Sequence, residues 1–185
     1  GKRYEELNVV VAHLGGGITV GAHRRGRVID CTHGLGEGPF TPERAGSLPT
    51  QELLELAFAG KPDKKALQGR LVGQGGLAAY LGTSDAQRVE EMIAAGDAKA
   101  ERIFAAMAYQ VAKEVGAMAT VLLGEVDGIV LTGGLAHSGR LTSLITDRVR
   151  FLAPVHIYPG EDEMYALAEG GLRVLAGEEE IKVYG

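Results

Sequence analysis

The chain has 185 residues, 45% of them hydrophobic and 23% charged, with a formal net charge of −5. That length buries one sizeable core or two small ones, and the acidic balance removes any global bias toward nucleic acid or anionic membranes as partners. A single cysteine, Cys31, excludes an internal disulfide framework and any multi-cysteine zinc site, and reads as a small packed side chain.

No secretory leader pattern and no apolar run of membrane-spanning length are present, so a soluble, cytoplasmic protein is expected. In chain order, Leu7 to Ala12 is a short β-branched apolar run, predicted as a buried strand. His13-Leu14-Gly15-Gly16-Gly17 interrupts it. Ile18 to Ala22 resumes strand character, Arg24-Arg25-Gly26 is a turn, and Arg27 to Asp30 is a third strand. Those turn lengths predict two antiparallel hairpins in tandem. Residues 31–49 are rich in Gly and Pro without periodicity, and a loop that long inside a compact domain is usually functional. Thr50 is placed to cap a helix through Ala59, and Pro62-Asp63 to open a short second one. Residues 69–84 read as loop again. Ser84-Asp85-Ala86-Gln87 forms a capping box before a helix reaching about Ala95.

From Asp97 to Leu123, apolar residues at 100, 103, 104, 107, 108, 111, 112, 115, 118, 119 and 122 predict a long helix with a buried stripe. Met107, Tyr109 and Met118 lie on it, and core packing is favoured over a subunit interface for that stripe. Gly128 to Leu131 is a strand stopped by Thr132-Gly133-Gly134. Arg140 to Phe151 is helical, Val155 to Tyr158 a strand, Asp162 to Ala176 a helix, and 177–185 a charged surface tail. The hairpins suggest the antiparallel edge, and the later part the parallel edge, of one mixed sheet. The helical insertion covers about 31–96.

Four stretches have the composition of chemistry. The triple glycine in His13 to Gly17 lets backbone N–H groups approach an anion such as phosphate, though a plain tight hairpin also accounts for it. Thr132-Gly133-Gly134-Leu135-Ala136-His137-Ser138-Gly139 follows a strand and precedes a helix. Ligands of open α/β sheets bind at such strand ends, and paired glycines there let a flat group such as adenosine lie on the backbone; a simple turn is the alternative. Gly36 to Gly46 is a proline-stiffened loop presenting Arg44. One rigidly held arginine suits a transferring phosphoryl group, and a solvated surface arginine is the ordinary alternative. Pro159-Gly160-Glu161-Asp162-Glu163-Met164 puts acids at a helix start. The helix dipole suffices to explain them; an oxygen ligand for Mg²⁺ is the functional reading. There is no Walker A loop, kinase catalytic loop or G-x-S-x-G elbow. Gly73-Gln74-Gly75-Gly76-Leu77-Ala78 only loosely fits a dinucleotide pattern, with no adequate strand before it.

Taken together, Asn8 to Asp30 resembles the second phosphate motif of the acetate and sugar kinase/Hsp70/actin superfamily, and Gly128 to Gly134 its adenosine motif. Within it, GEGPFTPERAGSLPT, the run LVGQGGLAAYLGTSDAQRVEEMIAAGDAKAERIFAAMAYQVAKEVGAMA and YPGEDEMYALAEGGLRVL resemble the butyrate kinases of the acetokinase family, from about Lys2 to Tyr184. The resemblance implies a ribonuclease H-like (actin-like ATPase) α/β domain with a mixed sheet in the order β-β-β-α-β-α-β-α and a helical insertion after the third strand. It implies transfer of the γ-phosphoryl of ATP to a short carboxylate such as butyrate or isobutyrate, giving ADP and an acyl phosphate, reversibly and with Mg²⁺. It places His13, Leu14, Gly15, Gly16 and Gly17 at the nucleotide phosphates, and Gly133, Gly134, Leu135, Ala136 and His137 at adenine and ribose. Asp85 falls on the nucleotide side, where Gln87 replaces the usual arginine. Arg44 matches the arginine that stabilises the transition state, and Glu163 or Glu161 the Mg²⁺-linked glutamate. The loop around Thr32-His33-Gly34-Leu35-Gly36 is about one residue shorter than the family's usual form.

A carboxylate with a pKa near 4.3 is already ionised at neutral pH and needs no general base. The enzyme's task is positioning and charge neutralisation, so the absence of a Ser-His-Asp or Cys-His set is expected. The superfamily works in a cleft between two domains, and residues 1–185 correspond to the second. The expectation is therefore a C-terminal nucleotide-binding domain whose N-terminal partner lies elsewhere, with little activity alone and a homo-oligomeric parent protein. Acetate or propionate kinase, and a non-catalytic nucleotide-binding module of the same fold, are the alternatives.

Overall fold

The computed structural model describes residues 2–59, 63–160 and 162–181. A five-stranded sheet organises them, in the order β3-β2-β1-β4-β5: β1 is Asn8–Leu14, β2 Ile18–Arg24, β3 Arg27–Cys31, β4 Gly128–Gly133 and β5 Val155–Pro159. β1 pairs antiparallel with β2 and β2 with β3, whereas β1–β4 and β4–β5 are parallel. The mixed sheet expected from the turn lengths is therefore present. Arg25 and Gly26 both have positive φ, at 49° and 78°, the backbone signature of a tight two-residue hairpin. That turn lets β2 extend to Arg24, past the Ala22 expected.

One sheet face is dry. Val10, Ala12, Leu14, Ile18, Val20, Ala22, Ile129 and Leu131 are each at most 1% exposed. They lie under α5, Ala98–Val121, with α6, Gly139–Val149, packed beside it. The stripe on α5 came out as the 3.6-residue period dictates: Ala100, Phe104, Met107, Ala108, Val111, Ala112, Val115, Met118 and Ala119 are buried. Met107 and Met118 thus belong to the core, and only Tyr109 of the three residues weighed for an interface is exposed. Burying Phe104 alone contributes about 2–3 kcal/mol. The other face carries Val11, His13, Val130 and Thr132 half-buried and His156 and Tyr158 exposed.

The insertion holds α1, Thr50–Phe58; α2, Lys64–Leu71; α3, Gly76–Leu81; and α4, Ala86–Ala94. Three boundaries differ from expectation. Pro49, not Thr50, is the N-cap of α1. Asp63 caps α2 through Ala66 N, and α2 and α3 both enter the stretch 69–84 read as loop. Asp85, not Ser84, caps α4, accepting from Gln87 N at 2.9 Å and Arg88 N at 3.3 Å. Pro62 lies outside the described residues. The last helix, α7, is Glu163–Leu175. Its Met164, Tyr165, Leu167, Leu172 and Leu175 are all more than 60% exposed, and it makes no substantial contact with any other described element. No described helix is long and apolar enough to cross a membrane.

Candidate active site at the carboxyl ends of the central strands

Gly15, Gly16 and Gly17 close the β1–β2 hairpin, and Gly15 N–H donates to the Gly17 carbonyl at 3.0 Å. None of the three has a positive φ. Gly15 is buried, with its N–H engaged inside the turn. Gly16 is exposed, and a Cβ on it would meet nothing within 4 Å. It is the part of the turn that a ligand can approach. Leu14 gives its side chain to the core and has only backbone to offer.

Gly17 explains the third glycine. A Cβ there would fall 2.5 Å from Arg44 Cζ and 2.8 Å from Nη2, and closer still to Nη1. The guanidinium therefore rests on the Gly17 Cα. Its Nη1 donates to the Gly34 carbonyl at 2.7 Å, and among the described residues no carboxylate pairs with it. Arg44 is half-buried beside the glycine turn, its charge uncompensated among the described residues. The sheet end and the proline-stiffened loop, separate in sequence, form one place.

The loop carrying Arg44 is fixed from behind by backbone. Ala45 N donates to Leu71 O, Gly73 N and Gly75 N to Glu43 O, Leu77 N to Thr41 O, and Ala78 N to Pro42 O, all at 2.8–3.1 Å. A Cβ on Gly76, whose φ is +56°, would fall 2.8 Å from Arg44 O and nearer still to Thr41 O. Gly75 and Gly76 thus serve close packing of the arginine loop. They bind no dinucleotide phosphate through a strand-to-helix turn, as the missing strand already indicated.

β4 meets the same end. Gly133 has φ +91°, and a Cβ on it would lie 2.8 Å from both N and C of Leu14. Gly133 and Gly160 exchange two backbone hydrogen bonds at 3.2 Å, which brings the end of β5 alongside. Register also aligns Thr19, His13, Thr132 and Tyr158 in one row across the uncovered face, one step behind the turn. Glu161 lies outside the described residues. Glu163 opens α7, and its side chain likewise lies outside them. Among the described residues no group of three His, Cys, Asp or Glu is arranged to hold a metal. Mg²⁺ on a nucleotide needs only one or two protein carboxylates besides phosphate and water.

Beyond Gly133 the chain makes a short 3-10 turn, Gly134–His137, before α6. Gly134, Leu135, His137 and Ser138 face Ala86, Gln87 and Glu90 of α4 across a cleft of about 110 Å³. Ala136 is turned into the core. Ser138 caps α6 through Leu141 N and donates its hydroxyl to Glu90 Oε1. Asp85 stands at the start of α4, where its Oδ1 accepts the cap hydrogen bonds, and Ala86, Gln87 and Glu90 are what α4 presents to the cleft.

The acetokinase family model matches residues 1–158. The chain belongs to the acetokinase family. In structure it is similar to the acetate kinase of Porphyromonas gingivalis, with a TM-score of 0.84 at 23% identity over 94% of this chain and 50% of that one. A propionate kinase from Francisella tularensis subsp. tularensis superposes with a TM-score of 0.76 at 22% identity, over 85% of this chain and 47% of that chain. A ROK family protein from Streptococcus pneumoniae gives 0.55 at 16% identity, over 93% and 61%. These likenesses establish the actin-like ATPase fold for this acetokinase-family chain, which spans about half the length of the acetate and propionate kinases it matches.

Proposed function

We propose that the chain is the nucleotide-binding domain of a short-chain carboxylate kinase of butyrate kinase type, completed by a preceding domain. The observation that carries this is the Arg44 guanidinium, without a carboxylate partner among the described residues, seated on Gly17 of the hairpin turn. An acceptor carboxylate, ionised at neutral pH, attacks the γ-phosphorus of ATP. The new bond is carboxylate oxygen to phosphorus, the bond from phosphorus to the bridging oxygen breaks, and its electrons leave on ADP. No proton moves. The transferring group carries its charge on three equatorial oxygens, so cations and positioning do the catalysis.

Gly16 and Gly17 take the phosphates, the cleft between α4 and residues 134–138 takes the nucleoside, and Arg44 meets the charge of the group in flight. Glu163 or Glu161 would hold Mg²⁺, which when bound would supply neutralisation of phosphate charge. Hydroxylamine capture of the acyl phosphate from Mg-ATP, with acetate, propionate, butyrate and isobutyrate offered in parallel, tests the reading in the two-domain enzyme. Butyrate or isobutyrate should turn over best, and Arg44→Ala should lower kcat at least 10³-fold while nucleotide binding survives. Retained turnover in Arg44→Ala with tight ATP binding would instead favour a non-catalytic nucleotide module.

A further inference from the structure

We infer that Thr41 is a positioning residue that locks Arg44 to the glycine turn. Its side chain is 1% exposed, one of only three buried polar residues among those described. The hydroxyl makes three hydrogen bonds in two directions. It donates to the Gly16 carbonyl at 2.7 Å, and accepts from Arg44 N at 3.0 Å and Glu43 N at 3.2 Å. Its own backbone closes the turn, with Thr41 N donating to Arg44 O at 3.0 Å and Leu77 N donating to Thr41 O at 3.1 Å. One hydroxyl therefore ties the approachable glycine of the hairpin to the backbone that carries the arginine.

Arg44 and Gly17 otherwise meet through a long flexible side chain anchored at its tip by one carbonyl. A tip contact fixes neither the distance between the two backbones nor the angle at which the guanidinium enters. The Thr41 bridge fixes the first, because it joins main chain to main chain through a single rigid Cβ, and it thereby sets the point from which the arginine side chain reaches the turn. β-branching limits χ1, so the hydroxyl loses little freedom in making these bonds. A loop threonine needed only for folding would bond within its own loop. Here the donor bond leaves the loop for the one exposed glycine of the turn.

The kinetic arm of the test rests on the kinase reading above. Thr41→Val keeps the shape and removes the hydroxyl; Thr41→Ser keeps the hydroxyl. In the two-domain enzyme Thr41→Val should lower kcat about 10- to 100-fold, the scale for misplacing a charge-stabilising group by about 1 Å. KM for ATP should move less than about three-fold, and Thr41→Ser should hold kcat within about three-fold. In an Arg44→Ala background Thr41→Val should cost little more, since it acts through Arg44. A loss that persists undiminished in that background, or wild-type kcat in Thr41→Val, overturns the inference. A wild-type enzyme that makes no acyl phosphate overturns the kinase reading alone. The second arm then decides. On the 185-residue chain, the ¹⁵N relaxation order parameter at Arg44 Nε should fall in Thr41→Val and be held in Thr41→Ser, and an unchanged value overturns the inference. Should Thr41→Val not fold, Thr41→Cys fills the same space with a weak donor and takes its place in both arms.

Discussion

Alanine at Gly17 is the sharpest perturbation the site allows. The Gly17 φ is not positive, so alanine brings no backbone strain. Its methyl would sit 2.5 Å from Arg44 Cζ and 2.8 Å from Nη2. Ordinary carbon contacts begin at about 3.5 Å, so the guanidinium must retreat by about 1 Å. The retreat costs the bond to Gly34 O, about 1.5–3 kcal/mol for a charged donor. Much of that is recovered from water because the group is half-exposed. Stability should therefore change by less than about 1 kcal/mol, since what yields is the free end of a flexible side chain. Catalysis should not be spared: a 1 Å displacement of the charge-stabilising group costs on the order of 10²-fold in kcat. Gly16→Ala is the control, with open space at its Cβ and no positive φ. It leaves Arg44 in place and should weaken nucleotide binding more than it lowers kcat. Hydroxylamine capture, calorimetric ADP titration and thermal melting of both variants separate these effects. Equal losses of kcat in the two variants, or full kcat in Gly17→Ala, would refute the claim that Gly17 is small in order to seat Arg44.

Gly133→Ala should destabilise the fold by about 3 kcal/mol or more, seen as a lost urea midpoint or insoluble expression. Both its φ of +91° and the rigid Leu14 peptide under its Cα forbid a side chain. Leu123→Gly should do the reverse. Leu123 holds φ +59° with 81% of its surface exposed, so glycine relieves left-handed strain at almost no loss of contact. Net of the glycine's extra chain entropy the gain is about 0.5–1 kcal/mol, measurable as a rise in Tm. His23 should make stability depend on pH. Burial holds its pKa below the ordinary 6.5, and its Nδ1 is 2.6 Å from the Tyr4 hydroxyl. The unfolded chain then binds the proton more readily, so the contribution of His23 is complete above pH 6.5 and is lost as pH falls through the lower folded value. Urea midpoints at pH 7.5 and 5.5 should differ more in the wild type than in His23→Gln.

What was legible in the sequence was whatever repeats locally. The stripe on α5 follows from a period of 3.6, and the strand at Asn8–Leu14 from its β-branched apolar run, neither of which needs knowledge of partners. The Arg25-Gly26 hairpin likewise follows from turn chemistry. The stretch 69–84 failed for an instructive reason. Its composition reads as loop, whereas Gly75 and Gly76 are small because the backbone of 41–45 lies against them. Helix formation at 76–81 then proceeds despite them. Composition reports that a Cβ is missing and not which neighbour excluded it. The same ambiguity hid why Gly17 is glycine, since the excluding atoms belong to a residue distant in sequence. Thr41 carried a usable signal, because Thr-Pro-x-Arg is a turn in which a hydroxyl can bond the amides that follow. That rule predicts the bonds to Glu43 and Arg44 and is blind to the bond with Gly16. Family resemblance supplied Arg44 and the two glycine motifs and put Asp85 on the nucleotide side, but it is blind to the cap that Asp85 makes on α4, because a carboxylate that caps a helix and one that faces a ligand look alike in one dimension. Sites of this kind are assembled from residues chosen for what they leave empty. Their logic becomes visible only once the atoms that fill the emptiness, here a guanidinium and two peptide planes, have been located.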